Sequence, residues 1–175
     1  EYRHYDAEQR RVDFAALAEA LDAGRPGDVA LLHACCHNPT GADLSEDEWR
    51  QVAEIVTRRG LIPLIDFAYQ GFGRGLEKDR FGVELLLDAC DEVLVTQSCD
   101  KNFAVYRDRV GCLFVKAARA DTAAFAMTHL LQLSREAWSM PPDHGAACVR
   151  MVLEDDGLAA DWRAELDEMH GRIRM

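Results

Sequence analysis

The sequence predicts an α/β fold, a mostly parallel sheet flanked by helices, on three observations. Short apolar runs at 28–33, 61–66 and 92–96 have the length and the turn-residue boundaries of buried strands. Helical periodicities fall between them, giving the strand, helix, strand, helix, strand alternation of a parallel sheet covered by helices. Polar clusters follow the three runs, which puts them beyond the carboxyl ends of parallel strands, where open α/β sheets bind ligands.

The elements follow in order. Asp13 is a suitable N-cap for a first helix, in which Phe14, Leu17, Ala18 and Leu21 recur at helical spacing and Gly24 is the stop. Residues 28–33 (DVALLH) form the first strand and 35–41 (CCHNPTG) the loop after it. Ser45 and Glu48 read as a capping box, the serine oxygen accepting from the N–H of Glu48 while that side chain reaches back. The helix behind it runs through Trp49, Val52, Ala53, Ile55 and Val56 to Gly60. Residues 61–66 (LIPLID) form the second strand, although Pro63 cannot donate to a ladder. The glycine-rich stretch 71–75 (GFGRG) reads as a flexible turn, since it lacks the Gly-Lys-Ser/Thr of a Walker loop. A short helix through Leu85, Leu86 and Leu87 leads to the third strand, 92–96 (EVLVT), and 111–115 (GCLFV) extends the same sheet. Helical patterns cover 119–138, 143–153 after Pro141 and Pro142, and 158 to the end.

Composition narrows the partners. The chain has 175 residues, enough for one sizeable core, and a formal net charge of -11. Nucleic-acid backbones call for clustered Lys and Arg, so no nucleic-acid partner is expected. No apolar run approaches the ~20 residues of a membrane helix, and the opening EYRHYDAEQRR is too polar for a signal peptide. The six cysteines, Cys35, Cys36, Cys90, Cys99, Cys112 and Cys148, sit mostly in apolar stretches and read as free thiols in a reducing, cytoplasmic compartment. The chain opens on Glu1 and closes on Met175 inside a helical pattern, which predicts a piece of a longer polypeptide.

Several residues are candidates for chemistry. Lys101 follows a buried strand and lies beside the other polar clusters; as a nucleophile it must lose its proton, which a partly enclosed site favours. Taken alone it is a solvated charge. Asp66 ends an apolar strand, where an acid needs a partner: a ligand, a helix cap or an ion pair. Arg109 suits a phosphate held bidentately or, more blandly, an ion pair with Asp108 or Glu77. Ser98 adds a hydroxyl to the same phosphate or only ends its strand. Cys35, Cys36 and His37 beside His33 have neither C-x-x-C spacing nor a second cluster, so no metal is expected.

Three stretches say more than spacing does. Residues 33–41 (HACCHNPTG), 65–79 (IDFAYQGFGRGLEKD) and 98–111 (SCDKNFAVYRDRVG), continued by 134–145 (SREAWSMPPDHG), resemble the aspartate/aromatic aminotransferase family of fold-type-I pyridoxal-phosphate enzymes, in that family's order and spacing. The resemblance implies roles. Lys101 is the lysine that forms a Schiff base with the cofactor and shuttles the substrate proton. Asp66 pairs with the pyridine nitrogen. Asn38 and Tyr69 hydrogen-bond the phenolic oxygen. Ser98 and Arg109 bind the phosphate, and Arg135 reaches a neighbouring subunit's site to hold a substrate's distal carboxylate. Asn38-Pro39 is expected to be cis.

The resemblance further implies ping-pong transamination of aspartate or an aromatic amino acid with 2-oxoglutarate, by a homodimer. On this view 1–155 is the central part of the cofactor-binding large domain and 156–175 starts a long helix toward a small domain. Other cofactor- and substrate-binding elements of such enzymes lie upstream and downstream of this chain, so the 175 residues alone are expected to be inactive. Two departures stand out. Asp100 occupies the position usually held by serine before the lysine, and Met140 that of an often polar residue. The other readings are a β-lyase or decarboxylase on the same fold and a non-catalytic remnant.

Overall fold

Four strands form the central sheet of the computed structural model, which describes residues 2–173. They are β3 (Val29–His33), β4 (Ile62–Phe67), β5 (Val93–Ser98) and β6 (Gly111–Lys116), in that spatial order. β3 and β4 run parallel, with Val29 opposite Ile62 and His33 opposite Asp66. β4 and β5 are parallel from Leu64 opposite Leu94 to Phe67 opposite Gln97. β6 turns back antiparallel, Ser98 facing Gly111. The sheet is therefore mostly parallel, as expected, with an antiparallel edge. Pro63 sits in the central strand opposite Ala30.

The helices between the strands start and stop where the local chemistry dictates. In α1 (Phe14–Asp22), the Asp13 side chain accepts from Ala16 N–H at 3.1 Å. Its C-cap is Ala23, one residue short of the glycine stop. In α2 (Glu46–Arg59), both halves of the Ser45–Glu48 capping box form and Gly60 closes the helix at φ 65°. Such a cap contributes about 1 kcal/mol. α3 (Phe81–Ala89) follows a 3-10 turn at Lys78–Arg80. Three helices end the chain: α4 (Ala120–Trp138), α5 (His144–Glu154) and α6 (Asp156–Ile173). A short hairpin of β1 (Tyr5–Asp6) and β2 (Arg11–Val12), absent from the pattern reading, precedes α1. Two-residue strands carry too little periodicity to be read.

One face of the sheet carries the core. Ala30, Leu32, Ile65, Phe67, Val93 and Val95 meet Leu17, Leu21, Val52, Val56 and Leu86 of α1 to α3, with Trp49 among them. Alternation along β4, where Pro63, Ile65 and Phe67 are buried, aims every second side chain there. On the other face Val29 and Leu31 are more than half exposed. Outward beyond β6, α4 buries no residue at all. Of the six cysteines, Cys35 and Cys90 are buried, Cys36, Cys99 and Cys148 are half-buried, and Cys112 on β6 is exposed. All six are free, and burial pushes the Cys90, Cys99 and Cys112 thiols up. No helix among the described residues is long and apolar enough to cross a membrane.

Candidate active site

Parallel pairing brings the ends of β3, β4 and β5 to one edge of the sheet, and the loops leaving them carry the candidate residues. Asp66 is the penultimate residue of β4, beside His33, and its carbonyl accepts from Ala34 N–H at 2.9 Å, which holds the start of the 34–44 loop to it. Three residues on, Tyr69 lies under Lys101, whose Nζ stands 5.0 Å from the ring centroid. Lys101 and Tyr69, 32 positions apart in sequence, are thus brought together by the β4–β5 pairing. Asp66, Tyr69 and Lys101 are all half-buried. Among the described residues no protein group bonds the Asp66 carboxylate, the Tyr69 hydroxyl, the Asn38 amide or the Lys101 amine, which leaves all four open to a ligand.

The loop after β3 holds Asn38, exposed, and the Asn38-Pro39 bond is cis as expected. Imidazoles support it. His4 stacks on His37 with centroids 3.5 Å apart, His33 lies tilted at 4.6 Å, and His37 Nδ1 meets the Thr40 hydroxyl at 2.8 Å. Burial first, then the His4 and His33 rings, lowers the pKa of His37 to about 4. Among the described residues no group stands within hydrogen-bonding geometry of either ring nitrogen of His4, and the sequence offered no signal that this residue would join the other two.

At the third loop the structure corrects an expectation. The ion pair of Arg109 is with Asp100, and not with Asp108 or Glu77. The Asp100 carboxylate also accepts from Val110 N–H at 3.0 Å, and Asp100 itself is 1% exposed. Asp100 N–H donates to the Ser98 hydroxyl oxygen at 3.0 Å. Arg135, in the last turn of α4, is exposed, and no ion pair engages it among the described residues.

Two supports escaped the sequence reading. Asp79, 3% exposed, accepts from the N–H groups of Gly71, Gly73 and Arg74 at 2.9, 3.1 and 2.6 Å, and so ties down the supposedly flexible glycine turn. Gly71 has φ +99°, and a Cβ there would lie 2.6 Å from Leu166, so only glycine fits. The second support is α6. Trp162 donates from Nε1 to the Asn102 carbonyl at 2.6 Å and stacks on Phe103 at 4.3 Å. Leu166 is fully buried at Gly71, and His170 Nε2 meets the Gly73 carbonyl at 3.0 Å. The i, i+4, i+8 spacing of Trp162, Leu166 and His170 was the available signal of one helix face against two loops.

A cleft of about 550 Å³ lies elsewhere, between α3 and the β4–β6 side of the sheet, and Lys101, Tyr69 and Asp66 do not line it. The candidate residues share an open edge rather than an enclosed cavity.

An α/β sheet with a lysine, an acid, a phenol and an amide at its carboxyl edge has known counterparts. The chain belongs to the aminotransferase class I and II family, whose model matches residues 1–175. It is 48% identical to the aromatic-amino-acid aminotransferase of Paracoccus denitrificans over 175 residues, 99% of this chain and 44% of that protein. It is 42% identical to the aspartate aminotransferase of Escherichia coli (strain K12), with 99% and 44% covered. Among solved structures it superposes on an aromatic-amino-acid aminotransferase from Burkholderia pseudomallei covalently bound to pyridoxal phosphate, with a TM-score of 0.95, 44% identity, and 99% and 43% of the two chains covered. The chain thus spans less than half the length of the relatives it matches.

Proposed function

We propose that this chain is the central part of a pyridoxal-phosphate-dependent aminotransferase that exchanges an amino group between aspartate or an aromatic amino acid and 2-oxoglutarate. The observation that carries the reading is the placement of the Lys101 amine over the Tyr69 ring at the end of the strand bearing Asp66. The donor set suits the cofactor: an amine for its aldehyde, a carboxylate for its ring nitrogen, a phenol and an amide for its ring oxygen, and a hydroxyl and a guanidinium for its phosphate. These are Lys101, Asp66, Tyr69, Asn38, Ser98 and Arg109, and the first four are free of protein partners.

When bound, pyridoxal phosphate supplies an electron sink that stabilises negative charge on the substrate α-carbon. The protein does the rest. Asp66 would pair with the cofactor's ring nitrogen and hold a proton there. Tyr69 and Asn38 orient the ring by its oxygen. Lys101, with its amine free, would take the substrate α-proton and return it at the cofactor carbon, so one base would serve both transfers. Arg135 holds the distal carboxylate of a dicarboxylic substrate in a partner copy's site.

In this reading 1–155 belongs to the large domain, 156–175 opens a helix toward a second domain, and the longer protein is a cytoplasmic homodimer. The free cysteines support the compartment, and the exposed apolar side chains of α4 support a covering partner. A second reading, that the 175 residues alone bind substrate too weakly to turn over, is favoured by the open edge on which Lys101 lies. The test is Lys101→Ala in the longer protein, assayed with aspartate or phenylalanine plus 2-oxoglutarate by product analysis. Loss of glutamate formation by at least about 10⁴-fold is expected. Unchanged turnover, or products of α,β-elimination or decarboxylation, would overturn the assignment.

A further inference from the structure

Arg109 and Ser98, the two side chains assigned to the cofactor phosphate, have one thing in common: both are already engaged by residue 100. The Ser98 oxygen accepts the Asp100 N–H at 3.0 Å, and the Arg109 guanidinium pairs with the Asp100 carboxylate. A buried carboxylate must be compensated, and Asp100, with a side chain 2% exposed, is compensated among the described residues by that guanidinium and by Val110 N–H at 3.0 Å. These contacts, with Cys99 N–H on the Val110 carbonyl at 2.9 Å, close the 99–110 loop that carries Lys101. They also hold Arg109 at φ 55°, a left-handed conformation that a non-glycine residue adopts only when its surroundings impose it.

The pairing is one-sided. A single nitrogen, Nη1, makes both protein contacts of Arg109, to Asp100 and, at 3.1 Å, to the Tyr106 carbonyl. Nε and Nη2 bond no protein acceptor among the described residues, and the side chain is 71% exposed. The guanidinium is thus fixed along one edge and offers the other to solvent. A phosphate arriving there meets the free Nε and Nη2 donors, and also a fixed negative charge on the far side of the same cation. A serine at residue 100, as the resemblance has it, would leave that cation's full charge to the phosphate.

We propose that Asp100 is a positioning residue that serves as an internal counter-anion for Arg109. It aims the guanidinium, pins the lysine loop before the cofactor arrives, and weakens the grip on the cofactor's phosphate by neutralising the cation that binds it. This inference rests on the proposed function, since it takes pyridoxal phosphate as the ligand. It predicts a protein that holds its cofactor loosely at the phosphate end and exchanges it readily, with an apo-form loop that is already ordered.

The experiment is Asp100→Asn in the longer protein. Asparagine keeps an oxygen for Val110 N–H, removes the charge, and replaces the oxygen that accepts from Arg109 with an amide donor, so the guanidinium is released from residue 100. Apoprotein is titrated, by absorbance and fluorescence, with pyridoxal phosphate and, separately, with pyridoxal, which lacks the phosphate. Affinity for pyridoxal phosphate should rise by about tenfold, the scale expected for removing a close like charge from a half-exposed site. Affinity for pyridoxal should stay the same. If Asp100→Asn does not fold, Asp100→Ser should show the same split. Equal affinity for pyridoxal phosphate in variant and wild type overturns the inference. So does an equal gain for both ligands, which would mean that the whole pocket changed. If wild-type protein binds neither ligand, the functional reading fails and this inference falls with it, an outcome distinct from the other two.

Discussion

Two loops at the edge of the sheet are each anchored by a buried aspartate, and the two anchors differ in kind. Asp79 holds the loop after Tyr69 through three backbone N–H groups and no cation. Asp100 holds the loop around Lys101 through one backbone N–H and a guanidinium. Backbone donors cannot leave, so the first anchor is purely structural. The Arg109 guanidinium leaves its other edge to solvent, so the second anchor shares its cation with whatever ligand the loop serves. One loop is made rigid, and the other is rigid only while its charge balance is undisturbed.

The comparison breaks most readily at Asp79. Asp79→Ala leaves three N–H groups without their acceptor and should cost roughly 3–5 kcal/mol, read as a lower melting temperature and rapid amide exchange at Gly71, Gly73 and Arg74. A melting temperature unchanged to within a degree would show that the carboxylate does not anchor this loop. At the other loop, Trp162→Phe keeps the stack on Phe103 and removes the bond to the Asn102 carbonyl. It should cost about 1 kcal/mol, with faster exchange confined to the loop around Lys101. An effect at Gly71–Gly73 of the same size would mean that α6 couples the two loops instead of bracing each separately.

The loop after β3, stiffened by imidazoles rather than a carboxylate, supplies the smallest effect. His37 has its pKa lowered to about 4 from 6.5, so between those values the unfolded chain binds more protons at this residue than the folded one. Its contribution is fully present above pH 6.5 and is lost as the pH falls toward 4. Because the ring is partly exposed, the loss should be about 1 kcal/mol or less. Denaturant titrations of wild type and His37→Asn across that range should differ in slope, and parallel curves would remove His37 as the cause.

Much of this was legible locally. Ser45 and Glu48 specify their capping box within four residues, and the short apolar runs at 28–33, 61–66 and 92–96, bounded by turn residues, mark the buried strands. Motif resemblance located Lys101, Asp66, Tyr69, Asn38, Ser98, Arg109 and Arg135. The supports were not legible. Asp79, Trp162, Leu166 and His170 act on residues 5 to 97 positions away; the spacing of the last three marks a common helix face, but nothing in their neighbours announces which loops it meets. Arg109 was misread in its partner for the same reason: sequence proximity suggested Asp108, whereas the turn of the loop presents Asp100.

By itself, then, the sequence determined the order of strands and helices, their caps, and the chemical types gathered at the strand ends, because hydrogen bonding within a turn and side-chain periodicity are local. Only the tertiary structure decided that β6 runs antiparallel, that one sheet face and the whole of α4 lie uncovered in this chain, and which acid neutralises which cation. Those outcomes depend on strand pairing and loop closure, which bring together groups whose separation along the chain carries no trace of their contact.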